Sequence, residues 1–500
     1  MAISKDLVIY YSSLAAPHCI SCACHRWDQN NYTITIETTL NKTNLTTLLN
    51  NITPGATGEL YQILGRPLYY DKTWTGNNTL KLSPNSYAHS TLSKMRNETL
   101  IYPKNVTISS IGDTELMGVK IEGYISGAIS FGGAVLPSGS PGNPYKIYDW
   151  EDLYNVRNDL DAYFILMANL DENTNGYDTY ASDSANGGAG WEPIGGDNMF
   201  TGNFNGNNKT ISDLYIDRDD EIDIGLFGYI GDCSIYNLGV LDVDITGDTY
   251  VGGLVAEGSG NVTITNCYTT GIIVSIGGYT GGLSGWFSGT ITNCYSTCTV
   301  NGSSSYFGGL VGLVYDSTVT NCYATGDVTG DYWYNGGLLG YNQNSTTSYC
   351  YSTGDVIGEI GTGGFCGGTN STISNCYSLG NVTRLAGVET NFGGFCGYNS
   401  GGTLNKCYSI GSIEWQSAPH PTDKGFLGLD NGTDTNCFWD TETSLQSTSS
   451  GDAVGKTTTQ MKTLSTFTSA GWDMVAIGSY DDEDWYIDDG NDYPHLGWEL

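Results

Sequence analysis

The sequence predicts an all-β chain: a solenoid with short helical caps, preceded by a β-rich, sandwich-like N-terminal domain. Three observations carry this. First, a phrase built on Gly-Gly-Leu-Val-Gly, a polar turn and Thr-Ile-Thr-Asn-Cys-Tyr-Ser-Thr-Gly returns every 27 to 31 residues between about 224 and 427. A fixed period of that size marks a stack of like units. Second, Gly (69) and Tyr (36) are abundant while charged residues make up only 14%, which suits a turn-rich β protein better than a helical enzyme. Third, one position per repeat is held by Leu238, Cys267, Cys294, Cys322, Cys350, Cys376, Cys407 and Cys437. That is a column of small apolar groups.

Residues 1–136 lack the repeat. Apolar or β-branched runs at 7–12, 32–37, 60–64, 99–102, 106–111 and 119–125 predict strands there. The Pro/Gly/Ser stretch 137–144 marks a domain boundary. Residues 145–223 read as a cap with the opening rungs. Asp149 is placed to N-cap a short helix that carries Trp150, Leu153 and Val156 on one side. Residues 163–167 read as a buried strand, and 200–206 with 210–216 imitate the first rung. Residues 224–440 hold the repeats. Residues 441–500 read as the second cap, with a helix over 457–468 anchored by Met461 and Leu464 and an aromatic-rich end. Caps are expected because a bare terminal rung is a sheet edge open to association.

Within a repeat, strict alternation puts Ile264 and Cys267 on opposite faces, yet both have core character. A left-handed corner at Asn266 resolves this, and Asn293, Asn321, Asn375 and Asn436 recur at the same place. Parallel Cβ vectors in a stacked column argue for buried free thiols rather than disulfides. Cys366 and Cys396 form a second short column with Leu339 and Leu427. The following residues, Tyr268, Tyr295, Tyr323, Tyr351, Tyr377 and Tyr408, then point outward. They either pack against one another and an overlying loop, or offer a platform for sugar rings.

The formal charge is −34 with only 19 basic residues. Such a chain is repelled by DNA, RNA and anionic membranes. No run approaches the roughly 18 apolar residues of a membrane-spanning helix. Nucleic acid and membrane insertion are therefore excluded as partners, whereas calcium or a basic partner suits the charge. Residues 1–11 read as a strand, not as a secretory signal with a basic start and apolar run. Two explanations stand: a virion component released by lysis, or export from a different precursor start or by another route.

Two segments carry metal-ligand chemistry. Asp171, Asn173 and Asn175, with Gly176 behind them, match the opening of a calcium loop, and Asp178 or Asp183 can add a ligand. The twelfth position is Ser182 rather than Glu, and a metal-free Asx turn is the alternative. Cys19, Cys22, Cys24 and His25 could hold zinc, or two of the three cysteines could form a disulfide. Glycosylation sequons start at Asn31, Asn41, Asn44, Asn51, Asn77, Asn97, Asn105, Asn261, Asn344, Asn370 and Asn381. No catalytic residue is assigned. The carboxylate clusters 217–221 and 481–484 read as solvated turns, the central rungs hold no recurring Asp/Glu pair, and no phosphate loop or dinucleotide fingerprint occurs.

At Trp150-Glu151-Asp152-Leu153, Gly190-Trp191-Glu192-Pro193-Ile194-Gly195, the 200–206 turn, the eight Gly-led repeats and Phe438-Trp439-Asp440, the chain resembles the GLUG-repeat proteins of bacterial and archaeal surfaces. The likeness covers about residues 145–500. It implies a right-handed parallel β-helix with surface or adhesin-like roles, and it does not imply catalysis. The expectation is a non-enzymatic extracellular or virion surface protein. An N-terminal anchor, able to self-assemble, would display a β-helix that binds a host glycan or surface protein. The alternatives are a structural subunit of a filament, sheath or capsid decoration, and a polysaccharide-degrading tailspike.

Overall fold

The computed structural model describes residues 139–499 apart from 197, 386–390, 416–422 and 480–483, together with the backbone of nine short strands between 9 and 132. The chain forms two compact units: residues 1–148 with 162–165, and residues 149–161 with 166–500.

The first unit is antiparallel. Thr33–Thr38 pairs with Thr79–Pro84 on one side and Gly127–Gly132 on the other, and Tyr70–Trp74 adds to Thr79–Pro84. Ile9–Tyr11, Val119–Ile121 and Thr114–Leu116 make a three-stranded sheet, and Tyr61–Ile63 forms a hairpin with Arg66–Leu68. The expected strands at 99–102 and 106–111 lie outside the described residues.

The second unit is a parallel β-solenoid. Each turn pairs in register with the next, so like residues stack. Ile264, Ile291, Val319, Thr347, Ile373 and Leu404 form one inward column. Ile273, Val300, Val328, Val356, Val382 and Ile413 form another. A third runs through Val255, Ser284, Val311, Leu339, Cys366, Cys396 and Leu427.

The glycine pair of each repeat is explained by close approach. A Cβ on Gly309 would stand 2.2 Å from the carbonyl oxygen of Gly337 on the next turn, far inside van der Waals contact. The same carbonyls receive the hydroxyl that follows the repeated tyrosine: Thr269 Oγ1 donates to Gly282 O, Ser352 Oγ to Gly364 O and Ser409 Oγ to Gly425 O, at 2.8–2.9 Å. The Gly-Gly and Cys-Tyr-Ser parts of the phrase are thus two sides of one buried contact.

The left-handed corner occurs as expected, with φ of 53° at Asn266, Asn293 and Asn321, 51° at Asn375 and 54° at Asn436. Ile264 and Cys267 are both fully buried as a result. Tyr349 (φ 53°) and Lys406 (φ 54°) occupy the same corner without an Asn side chain.

The helix at the N-terminal end of this unit spans Trp150–Tyr154, capped by Asp149, and continues as a 3-10 turn, Asn155–Asn158. Trp150, Leu153 and Val156 are buried. The helix expected over 457–468 is two helices, Thr458–Met461 and Leu464–Thr468. Thr457 and Gln460 close a capping box on the first. Met461 and Phe467 are buried, and Leu464 packs partly buried against the same cluster.

Candidate functional site

The cysteine column sits inside the solenoid. Eleven cysteines, from Cys233 to Cys437, are free and buried. In the repeat column each thiol donates to the carbonyl two residues before it: Cys294 Sγ to Thr292 O at 3.2 Å, Cys322 to Thr320, Cys350 to Ser348 and Cys376 to Ser374 at 3.1 Å. The corner also turns the next backbone N–H away from the ladder. Cys294 Sγ accepts it from Cys267 and Cys350 Sγ from Cys322, both at 3.4 Å. Sulfur therefore fills the apolar column and serves the corner's polar groups at once. Burial pushes the Cys233 thiol up to about 12 and Cys298 up to about 11, so these are structural thiols and not nucleophiles.

The tyrosine column follows the corner. Tyr268, Tyr295, Tyr323, Tyr351, Tyr377 and Tyr408 stack with centroids 4.7–5.1 Å apart and planes within 8°. The sugar-platform reading needs open ring faces, and here the neighbours occupy them. The last two tyrosines are not outward-facing at all. Tyr377 and Tyr408 are 2% and 0% exposed, because the C-terminal cap folds back over them. Tyr377 Oη donates to Glu499 at 3.0 and 3.1 Å, Tyr408 Oη to Pro494 O at 2.6 Å, and Trp498 stacks near Tyr351 at 5.8 Å. The overlying-loop reading holds for this end of the column.

A second aromatic column was missed by sequence reasoning. Tyr250, Tyr279, Tyr306 and Tyr334 stack at 4.7–5.4 Å, each at a second left-handed corner just before the glycine pair. The signal was a tyrosine two residues ahead of the Gly-Gly pair in four successive repeats. Beside its end, Asp331, Tyr332 and Trp333 protrude from the turn. Tyr332 is 53% and Trp333 45% exposed, their rings 6.1 Å apart and within 10° of parallel. Ile360 N donates to Tyr332 O, which brings Glu359 alongside on the next turn. These rings are exposed, with one acidic residue, Asp331, just before them in the chain and another, Glu359, on the neighbouring turn.

The calcium-loop residues satisfy one another. Asp171 Oδ1 accepts from Asn173 N and Thr174 Oγ1, both at 2.9 Å, and Asn175 Nδ2 donates to Asp149 Oδ2. Asp178 is exposed in the short helix Tyr177–Tyr180. This is the geometry of an Asx turn clipped to the cap helix. Among the described residues no group of three or more His, Cys, Asp or Glu side chains could hold a metal. Cys19, Cys22, Cys24 and His25 lie outside the described residues, as do Asn31, Asn41, Asn44, Asn51, Asn77, Asn97 and Asn105. Asn261, Asn344 and Asn381 are exposed and Asn370 is half-buried. The Asn261 and Asn381 amides donate to Asp232 and Asp355.

One open cleft of about 800 Å³ lies between the N-terminal cap and the opening rungs. Its charged lining is Arg157 and Arg218 with Glu192, Asp220, Glu221 and Asp223.

Fold and repeat together define a parallel β-solenoid with aromatic and thiol columns. The chain carries the GLUG motif, whose family model matches residues 303–329 and 331–357. Halomucin of Haloquadratum walsbyi is 35% identical over 153 residues, 29% of this chain. A Gly-rich membrane protein of Evansella cellulosilytica is 39% identical over 113 residues, 22% of this chain. The matches span only 2% and 12% of those proteins. Among solved structures, a Bacteroides ovatus protein named as an immunoglobulin A1 protease gives a TM-score of 0.43 at 18% identity, covering 72% of this chain and 94% of that one. Another IgA1 protease gives 0.37 at 14% identity, covering 64% and 26%. Among the described residues no helix is long and apolar enough to cross a membrane.

Proposed function

We propose that this chain is a non-enzymatic surface protein whose β-solenoid binds glycans along the edge that carries Tyr332 and Trp333. The observation that supports this most is the pair of exposed, nearly parallel rings next to Asp331 and Glu359. A sugar offers an apolar C–H face to an aromatic ring and hydroxyl donors to carboxylates, and an exposed aromatic pair rimmed by polar groups suits that ligand. The surface setting is supported by the GLUG motif and by the names of the halomucin and membrane-protein relatives.

A glycan array probed with the full chain tests the reading, and silence across it counts against adhesion to sugars. Incubation with immunoglobulin A1 tests the activity for which the solved proteins of related fold are named. Cleavage there would overturn the non-enzymatic reading.

A further inference from the structure

The strand that leads into each Asn266-type corner carries an ordered array on its outer face. Thr263, Thr290, Thr318, Thr346, Thr372, Thr403 and Thr433 pair in register on successive turns. Two residues further along each strand, Thr265, Thr292, Thr320, Ser348, Ser374, Asn405 and Thr435 form a second column. The inward column of Ile264 lies between them, so both face away from the core. Six threonines of the first column are exposed and Thr290 is half-buried. Neighbouring turns stand about 4.8 Å apart and residues two apart on a strand about 6.6 Å, so the two columns make a grid about 29 Å long.

The scaffold does not require this uniformity. Another outward column reads Thr246, Val274, Asn301, Thr329, Ile357, Thr383 and Glu414. An outward position of this solenoid therefore accepts apolar, amide and acidic side chains. The grid nevertheless carries no ring and no charge, in a chain with 53 acidic residues. Threonine also fixes the geometry, because its branched Cβ restricts χ1. Along the second column Thr320 Oγ1 lies 3.3 Å from Ser348 Oγ, and Thr435 Oγ1 donates to Asn405 Oδ1 at 3.2 Å. No hydroxyl of the first column is bonded to another described residue.

We infer that this grid binds ice, by holding a layer of water in lattice order that joins the crystal. Its two spacings lie close to repeat distances of the oxygen lattice of hexagonal ice. Each hydroxyl can both donate to and accept from water, while the methyl groups between them offer water no competing partner. Charged groups, which orient water around themselves, are absent from the grid. A single hydroxyl contact gains little over liquid water. A rigid grid that matches a repeating solid makes many such contacts at once. A soluble sugar or peptide does not repeat in two directions, and the grid gives it neither a ring to stack on nor a charge to pair with.

A single ice crystal held in a solution of the full chain, watched as the temperature is lowered, tests the inference. A gap between the melting and growth temperatures is expected, with faceting of the crystal. An unrelated acidic protein at the same molar concentration should show neither. Thr318→Lys with Thr372→Lys sets two ammonium groups in the middle of the grid and should abolish the gap. Thr329→Lys with Thr383→Lys, the same change in the variable outward column, should leave it intact. Circular dichroism and the unfolding midpoint check that each variant is folded. Trp333→Ala should keep the gap, so the glycan reading and this one fail separately. Absence of a gap with the full chain overturns the inference, as does a gap that survives the change in the grid. Sedimentation with crystalline chitin, abolished by the grid change alone, would assign the array to a polysaccharide lattice and overturn it too.

Discussion

The backbone N–H of Cys267 points at Sγ of Cys294 on the following turn, 3.4 Å away. A left-handed corner takes that N–H out of the sheet ladder, and an aliphatic side chain in the sulfur's place would leave it buried and unpaired. Cys294→Ala removes the acceptor and opens a small cavity. It should cost about 2–3 kcal/mol in guanidinium denaturation, whereas an exposed change such as Thr263→Ala should stay within about 0.5 kcal/mol.

The outer side of the same corner is a ladder of amides. Asn266 Nδ2 donates to Asn237 Oδ1 at 2.9 Å, Asn293 to Asn266 and Asn321 to Asn293 at 3.2 Å. Asn293→Ala loses two of these bonds and puts an ordinary side chain at φ 53°. The conformational part alone should cost about 1–2 kcal/mol. Asn293→Gly should recover most of that part, as read from midpoints of thermal unfolding.

Arg384 and Asp423 form an ion pair with both side chains fully buried, 2.5 Å apart, and the guanidinium covers Phe392 at 4.1 Å. Removing one partner takes a charged contact from a group that stays fully buried. Asp423→Ala should destabilise by about 3–5 kcal/mol. The double change Arg384→Leu with Asp423→Ala should destabilise less than Asp423→Ala alone, measured by a double-mutant cycle in denaturant.

His495 ties down the C-terminal cap. It faces Glu499 at 3.5 Å, Asp492 at 3.7 Å, the edge of Tyr377 and the face of Tyr486. Its pKa is raised, chiefly by the hydrogen bond with Glu499 and against burial. A raised folded pKa stabilises fully below the unfolded value of about 6.5 and is lost as pH rises through the folded value. Amide exchange in residues 493–499, corrected for intrinsic rates, should therefore quicken from mildly acidic to alkaline pH. His495→Gln should flatten that dependence.

Much of the solenoid was legible in the sequence because its constraints repeat. The period, the Cys267-type column, the Asn266-type corner and the short Cys366–Cys396 column are local patterns multiplied by stacking. Lys406 and Tyr349 show the limit: corner geometry survives without the side chain that signals it, since neighbouring turns impose it. The burial of Tyr377 and Tyr408 was not legible, because it depends on residues 493–499 returning across about a hundred positions. The stacking of Tyr250, Tyr279, Tyr306 and Tyr334 as a second column was overlooked because these residues fall in the repeat's most variable stretch. The cleft joins Arg157 to Arg218 and Asp223 across 61 to 66 residues, and no spacing rule connects them.

The central claim is that the solenoid binds sugar through the open rings of Tyr332 and Trp333. The most direct measurement is the affinity of the full chain, Trp333→Ala and Tyr295→Ala for the strongest glycan on an array. The account predicts that Trp333→Ala weakens binding by at least about tenfold. Tyr295→Ala, whose ring faces are already stacked against Tyr268 and Tyr323, should leave it within about twofold once folding is confirmed. Unchanged binding by Trp333→Ala, or loss confined to Tyr295→Ala, would contradict it.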